Sequence, residues 1–146
     1  MIEYIRRPKQ FFLAHNPKRK KEVTAFLNEL NELLTSDNFN VETDLTIISK
    51  KKPNDEEHST PYTIVDLEYD SEDVANRLKE LSISEYSETK IDKDDLVPPL
   101  LFVFGKVINH KLVYIKLKIK ENATNKRRVL CVSFHYVQKE MNFPYK

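Results

Sequence analysis

With 146 residues, 40% of them hydrophobic and 32% charged, the chain is long enough to bury a core without staples and fits one domain, 1–146. A single cysteine, Cys131, excludes an internal disulfide and a cysteine-built zinc site, and it points to a reducing, cytoplasmic location. Charges in Met1-Ile-Glu-Tyr-Ile-Arg-Arg-Pro8 interrupt any signal-peptide run, and no window approaches the roughly 18 apolar residues of a membrane span, so neither is expected.

The net charge of +1 conceals a split, for residues 1–41 carry +2, residues 42–95 carry −9 and residues 96–146 carry +8. Such asymmetry suits a polyanion, nucleic acid above all, meeting one end of the molecule. It suits equally well an acidic and a basic segment that pair with each other on folding.

In chain order, Asn16 is a suitable N-cap and Pro17 a suitable first residue for a helix over 16–36. Val23, Phe26, Leu27, Leu30, Leu33 and Leu34 form its apolar stripe, and Asp37-Asn38 ends it. The Lys18–Lys21 run falls in the first turn, where the helix dipole disfavours cations; it reads as a solvated face, or else as a site for an external anion. A strand is expected at Val41–Ser49, a mobile polar loop over 50–60, and a short strand at Tyr62–Leu67. Ser71 caps a second helix with Val74, Leu78 and Leu81 inward. The stretch Ser82–Val97 reads as an acidic loop closed by Pro98-Pro99.

From Leu100 the pattern turns to strands: Leu100–Ile108, Lys111–Lys120 and Val129–Val137, the first two joined tightly by Asn109-His110 and the last two by a loop over Glu121–Arg128. Helices first and a meander over 100–137 predict an α+β domain. Two or more helices would pack on a three- to five-stranded antiparallel sheet.

In Lys111–Lys120, Val113, Ile115, Leu117 and Ile119 alternate with Tyr114, Lys116, Lys118 and Lys120. The first set must be core, because each buried unpaired lysine would cost several kcal/mol. In the next strand Leu130, Val132, Phe134 and Tyr136 are the more apolar set, and Cys131, Ser133 and His135 the more polar. Matching polar to polar gathers Tyr114, Lys116, Lys118, Ser133 and His135 on one face. Cations that neutralise phosphate beside an imidazole that moves a proton near neutral pH suit phosphodiester chemistry. The competing reading is the wet side of a two-sided sheet with a structural histidine. Gly105 is the only glycine, so there is no phosphate-cradling loop; Asp92, Asp94 and Asp95 lack the glycine turn of a calcium loop, and Ser133 and His135 have no acid to complete a triad. No metal or cofactor is expected.

From Leu81 to Lys146 the chain resembles the MqsR-like toxins of Gram-positive bacteria and their mobile elements. The resemblance is carried by Ser82-Ile-Ser-Glu-Tyr86, Phe102-Val-Phe-Gly-Lys106, Val113-Tyr-Ile-Lys116-Leu, Cys131-Val-Ser-Phe-His135 and Met141-Asn-Phe-Pro-Tyr-Lys146, in family order. It implies a RelE-like fold, a metal-independent endoribonuclease that cuts mRNA, and a cognate antitoxin. By that likeness Tyr86, Tyr114, Lys116 and His135 form the cleavage site. Lys116 holds the scissile phosphate, His135 exchanges protons with the 2′-hydroxyl or the leaving 5′-oxygen, and a tyrosine orients the phosphate. Lys106, Lys118, Lys120, Arg127, Arg128 and Ser133 are the expected RNA contacts. Relatives carry Gly-Pro where this chain reads Ser87-Glu-Thr-Lys90, and the Gram-negative members carry Lys and Gln near Ser87 and Val103, and Lys in place of His135. A second expectation is therefore a non-catalytic phage or mobile-element protein of the same fold that occludes a nucleic-acid-handling partner. A third, compatible with either, makes the acidic middle segment a docking surface for a basic protein.

Overall fold

The computed structural model describes residues 17–146. Helices α1 (Lys20–Leu34), α2 (Val41–Asp44), α3 (Thr60–Leu67) and α4 (Ser71–Lys79) accompany strands β1 (Leu45–Ile47), β2 (Tyr86–Ile91), β3 (Leu100–Ile108), β4 (Lys111–Glu121) and β5 (Arg127–Tyr136). The five strands form one sheet in the order β1-β5-β4-β3-β2. The expected α+β class is present, but the sheet is mixed, because β1 runs parallel to β5. The helices lying between β1 and β5 in the chain supply the long connection that a parallel pair requires.

The β3–β4 hairpin follows from sequence. Asn109 and His110 both take positive φ, 51° and 68°, the backbone of a primed two-residue turn whose twist matches its strands. Val113, Ile115 and Leu117 are fully buried and meet the apolar faces of α1 and α4, contributed by Val23, Leu30, Val74 and Leu78. Phe26 of α1 stacks on Phe102 at 4.0 Å between ring centroids, fixing α1 over the β3 side of the sheet. Each apolar side chain so buried contributes about 1.5–3 kcal/mol.

Strand β5 departs from the expected alternation. Lys116 pairs with Ser133 but Leu117 pairs with Cys131, so Val132 is an extra residue in a bulge. One inserted residue inverts the side-chain parity beyond it. The core set is accordingly Val129, Cys131, Phe134 and Tyr136, while Leu130 and Val132 join Ser133 and His135 on the opposite face. Cys131, read as part of the polar set, is fully buried, and burial pushes its thiol up to about 12.

Other elements shift for local reasons. Asn16 lies outside the described residues, and α1 begins at Lys20, because the Lys18 backbone is engaged elsewhere: its N–H donates to the Tyr86 hydroxyl at 2.9 Å and its carbonyl accepts from the Tyr145 hydroxyl. Val41–Ser49 opens as the short helix α2, capped by the Asn40 side chain, before becoming β1. Tyr62–Leu67 is helical, started by the Ser59 cap and a proline in its first turn. Its β-prone threonines serve the sheet from outside, since Thr60 Oγ1 accepts from Phe134 N–H and Thr63 Oγ1 from Tyr136 N–H, both at 3.0 Å. Asp70 rather than Ser71 caps α4, and the supposed acidic loop contains β2.

The second face of the sheet is roofed rather than wet. Val103 and Leu101 lie on it, and both are buried. At Gly105 a Cβ would come within 2.8 Å of the Phe143 ring and 2.9 Å of Met141 Sδ, so the missing side chain lets the C-terminal tail lie against β3. On the other side, the segment 92–99 closes over β4. Lys118, 1% exposed, sits beneath it with Nζ 2.8 Å from Asp92 Oδ2 and 2.9 Å from the carbonyls of Asp95 and Pro98. Lys118→Ala is expected to cost about 3–5 kcal/mol in urea unfolding, because it strands the Asp92 carboxylate. The double change Lys118→Met with Asp92→Leu should recover most of that loss. A single variant as stable as the parent would contradict this account of the strap.

Candidate functional site

Between the tail, the 92–99 strap and the 50–52 segment lies a cleft of about 1140 Å³ whose floor is the second face of the sheet. Tyr114, Lys116, Ser133 and His135, all expected on one face, line it together. Register brings them there: Tyr114 pairs with His135 and Lys116 with Ser133 across β4 and β5. The Tyr114 and His135 rings stack with centroids 5.1 Å apart and planes 15° apart, and Lys116 Nζ is 5.9 Å from the Tyr114 ring centre. His135 Nδ1 donates to its neighbour's carbonyl, Tyr136 O, at 2.9 Å, which fixes the ring and leaves Nε2 with a free lone pair.

The cleft lining mixes charges, with Lys50, Lys52, Lys90, Lys116 and Lys139 set among Glu88, Asp92, Asp94, Asp95 and Glu140. Burial lowers the pKa of His135, and Lys52 and Lys116 lower it further against the lift from the Tyr136 carbonyl. The ring is therefore neutral at pH 7 and able to accept a proton. Burial likewise lowers Lys116, with Lys90, Lys52 and Lys50 adding to the effect against the lift from Asp92. Tyr114 is pushed up to about 12 by burial and by Glu88, so it remains a hydroxyl donor. Lys50, Lys52, Lys90 and Lys139 line the cleft around this cluster. The 50–60 stretch is expected from sequence as a mobile loop or an added contact surface, and its lysines have no periodicity to tie them to the sheet.

The remaining expected residues divide by face. Lys118 and Lys120 share the face of Lys116, but the strap engages them: Lys120 Nζ lies 2.5 Å from Asp95 Oδ2 and 2.6 Å from the Val97 carbonyl. Arg128 stands opposite Lys120, with its Nε buried and unpartnered among the described residues. Lys106 and Arg127 project to the helix side. Lys106 is paired in register with Val113 and bound to Glu85 at 3.2 Å, and Arg127 is bound to Glu29 of α1 at 2.8 Å. Tyr86 does not join the cluster. It is fully buried on the core side opposite Phe104, stacked on Tyr145, with its hydroxyl 2.6 Å from Thr89 Oγ1. A bulge after Tyr86 turns Ser87 and Glu88 into the cleft in its place.

No protein-family model, curated protein or solved structure matches the chain. No described helix is long and apolar enough to cross a membrane.

The strap should respond to acid. Burial raises Asp92, but Lys118 and the amides of Asp94 and Asp95 outweigh it, and Lys120 holds Asp95 down at about 2. Both folded values lie below the ordinary carboxylate value of 3.8, so their stabilisation is complete above that pH and is lost as pH falls through the folded values. The protection of the amides in residues 92–97 against hydrogen exchange, relative to the unfolded chain at the same pH, is expected to fall below pH 4 before that of β4 does. Equal protection of the strap at pH 2.5 and pH 6 would contradict these pairings.

Proposed function

We propose that this protein is a metal-independent endoribonuclease that cuts single-stranded mRNA by general acid–base catalysis, as a toxin of the MqsR-like kind held in check by a cognate antitoxin. The observation that carries the reading is the stacked Tyr114–His135 pair beside Lys116, set in a cleft with Lys50, Lys52, Lys90 and Lys139 around it. Charges that lower one another's pKa in a half-buried site are relieved by an anion, and an RNA phosphate is an anion that reaches such a floor as a single strand. The RelE-like version of the α+β fold belongs to this proposal, supported by helices packed on one sheet face while the other face forms the cleft.

In the reaction, His135 Nε2 takes the proton of the 2′-hydroxyl as that oxygen attacks the adjacent phosphorus. Lys116 neutralises charge building on the phosphoryl oxygens, and the Tyr114 hydroxyl donates to one of them. No step draws on Tyr86, whose hydroxyl is occupied in the core. The acid side of the rate profile belongs to His135. Because activity needs the neutral ring and the folded pKa lies under the ordinary 6.5, kcat/KM should hold down to below pH 6.5 before falling.

The test is purified protein with RNA in EDTA, products sized on a gel. Cleavage is expected, reduced about 10²- to 10⁴-fold by His135→Ala and about 10²- to 10³-fold by Lys116→Ala, with melting temperatures held. Growth arrest on expression should be relieved by the same changes. Intact RNA with a salt-sensitive mobility shift would instead support the non-catalytic binder.

A further inference from the structure

An RNA cleavage that runs through the 2′-oxygen needs two proton transfers, and His135 with its one free nitrogen supplies one of them. Beside the cleft, in the segment between two of its lining residues, stands a second imidazole near enough for its charge to act on His135. Lys52 and Thr60 both line the cleft, and the segment between them carries Asp55 and His58 in a single 3-10 turn region. Thr60 is tied to the strand at the residue before His135, through the 3.0 Å bond from Phe134 N–H. His58 is thereby fixed two residues from a point of contact with the catalytic strand.

The ring of His58 is also oriented. Its Nδ1 lies 2.5 Å from Asp55 Oδ1, and the side chain is 31% exposed. A carboxylate accepts, so Nδ1 carries a proton and Nε2 is the nitrogen available for exchange. The other oxygen of Asp55 is buried without a partner among the described residues, which leaves His58 as the group its charge serves. The two imidazoles thus differ in surroundings. His58 has the Asp55 carboxylate as its partner, whereas His135 has a backbone carbonyl and the nearby charges of Lys52 and Lys116.

We infer that His58 is the second proton carrier of the proposed reaction, the general acid that protonates the leaving 5′-oxygen, with Asp55 as its positioning residue. This rests on the ribonuclease reading. In the step, the 2′-oxygen forms its bond to phosphorus as its proton passes to His135 Nε2. The bond from phosphorus to the 5′-oxygen breaks with its electron pair on oxygen, and that oxygen takes the proton from His58 Nε2. The products are a 2′,3′-cyclic phosphate and a 5′-hydroxyl. His135 ends charged and His58 neutral, so the total proton count is unchanged. No oxidant, reductant or metal is required.

The experiment compares two RNA oligonucleotides of one sequence, cut at a site mapped with the parent protein in EDTA. One is ordinary RNA; in the other the 5′-bridging oxygen at the scissile bond is sulfur, a leaving group that departs as thiolate without a proton. His58→Ala and His58→Gln are expected to slow cleavage of ordinary RNA by about 10²- to 10⁴-fold, and to cut the sulfur-bridged RNA at close to the parent rate. His135→Ala should remain slow on both, and Asp55→Asn should follow His58→Ala in weaker form. His58 variants that cut ordinary RNA normally, or that are equally slow on both substrates, overturn the assignment while leaving the ribonuclease reading in place. A parent protein that cuts neither substrate overturns the ribonuclease reading, and this inference with it.

Discussion

The ammonium of Lys118 sits on a sheet face without water, and much of the architecture around the cleft answers to it. A buried cation on the middle of β4 must be given opposite charge and hydrogen-bond acceptors. The segment 92–99 provides them: the Asp92 and Asp95 carboxylates, and the carbonyls of Asp95 and Pro98. To do so it has to leave the end of β2 and fold across the sheet before β3 begins. That path turns what would be an open face into a walled one. The same path carries Asp95 to Lys120, so two of the four polar residues that alternate along β4 are neutralised within the chain.

This division sets the field of the cleft. Along one strand, Lys118 and Lys120 are matched by carboxylates, whereas Lys116 makes no ion pair with any described carboxylate and lies among Lys50, Lys52 and Lys90. The charge on β4 is therefore divided, with Lys118 and Lys120 held by the strap and Lys116 left facing the cleft, whose lining also carries Glu88 and Glu140. The −9 and +8 segments thus meet in part, as one of the two charge readings had it, while Lys116 and Lys52 face the cleft without an ion pair to a described carboxylate. Both readings of the charge split describe a portion of the same surface.

Legibility in the sequence followed how local each signal was. The alternation of β4 and the Asn109-His110 turn are short-range facts, and they gave the hairpin, its register and four residues of the cleft. The bulge at Val132 has no signature in Cys131-Val-Ser-Phe-His135, so the core set of β5 was read with the wrong parity from its first half. Little was lost at the site, since Ser133 and His135 lie on the far side of the inserted residue. Thr60-Pro-Tyr-Thr-Ile-Val is β-prone by composition, yet a cap and a proline in the first turn outweigh propensity there. Lys106, Arg127 and Tyr86 were assigned by charge or likeness without a register to say which face they occupy, and all three point to the helix side. Lys50 and Lys52 line the cleft, and the Asp55–His58 pair stands beside it, in a segment held by the docking of α3 on β5, a long-range contact that no window of sequence contains.

That docking has a consequence for how the molecule behaves in company. Beyond the three residues of β1, the outer edge of β5 would present the amides of Phe134 and Tyr136 to any strand that came by, the usual route to runaway sheet growth. Two threonine hydroxyls from a helix occupy those amides instead, and a helix cannot pass the ladder on to a further chain. Replacing Thr60 and Thr63 with valine would preserve shape while unmasking the edge. The cost would then appear less in folding than in the concentration at which the protein begins to form fibres.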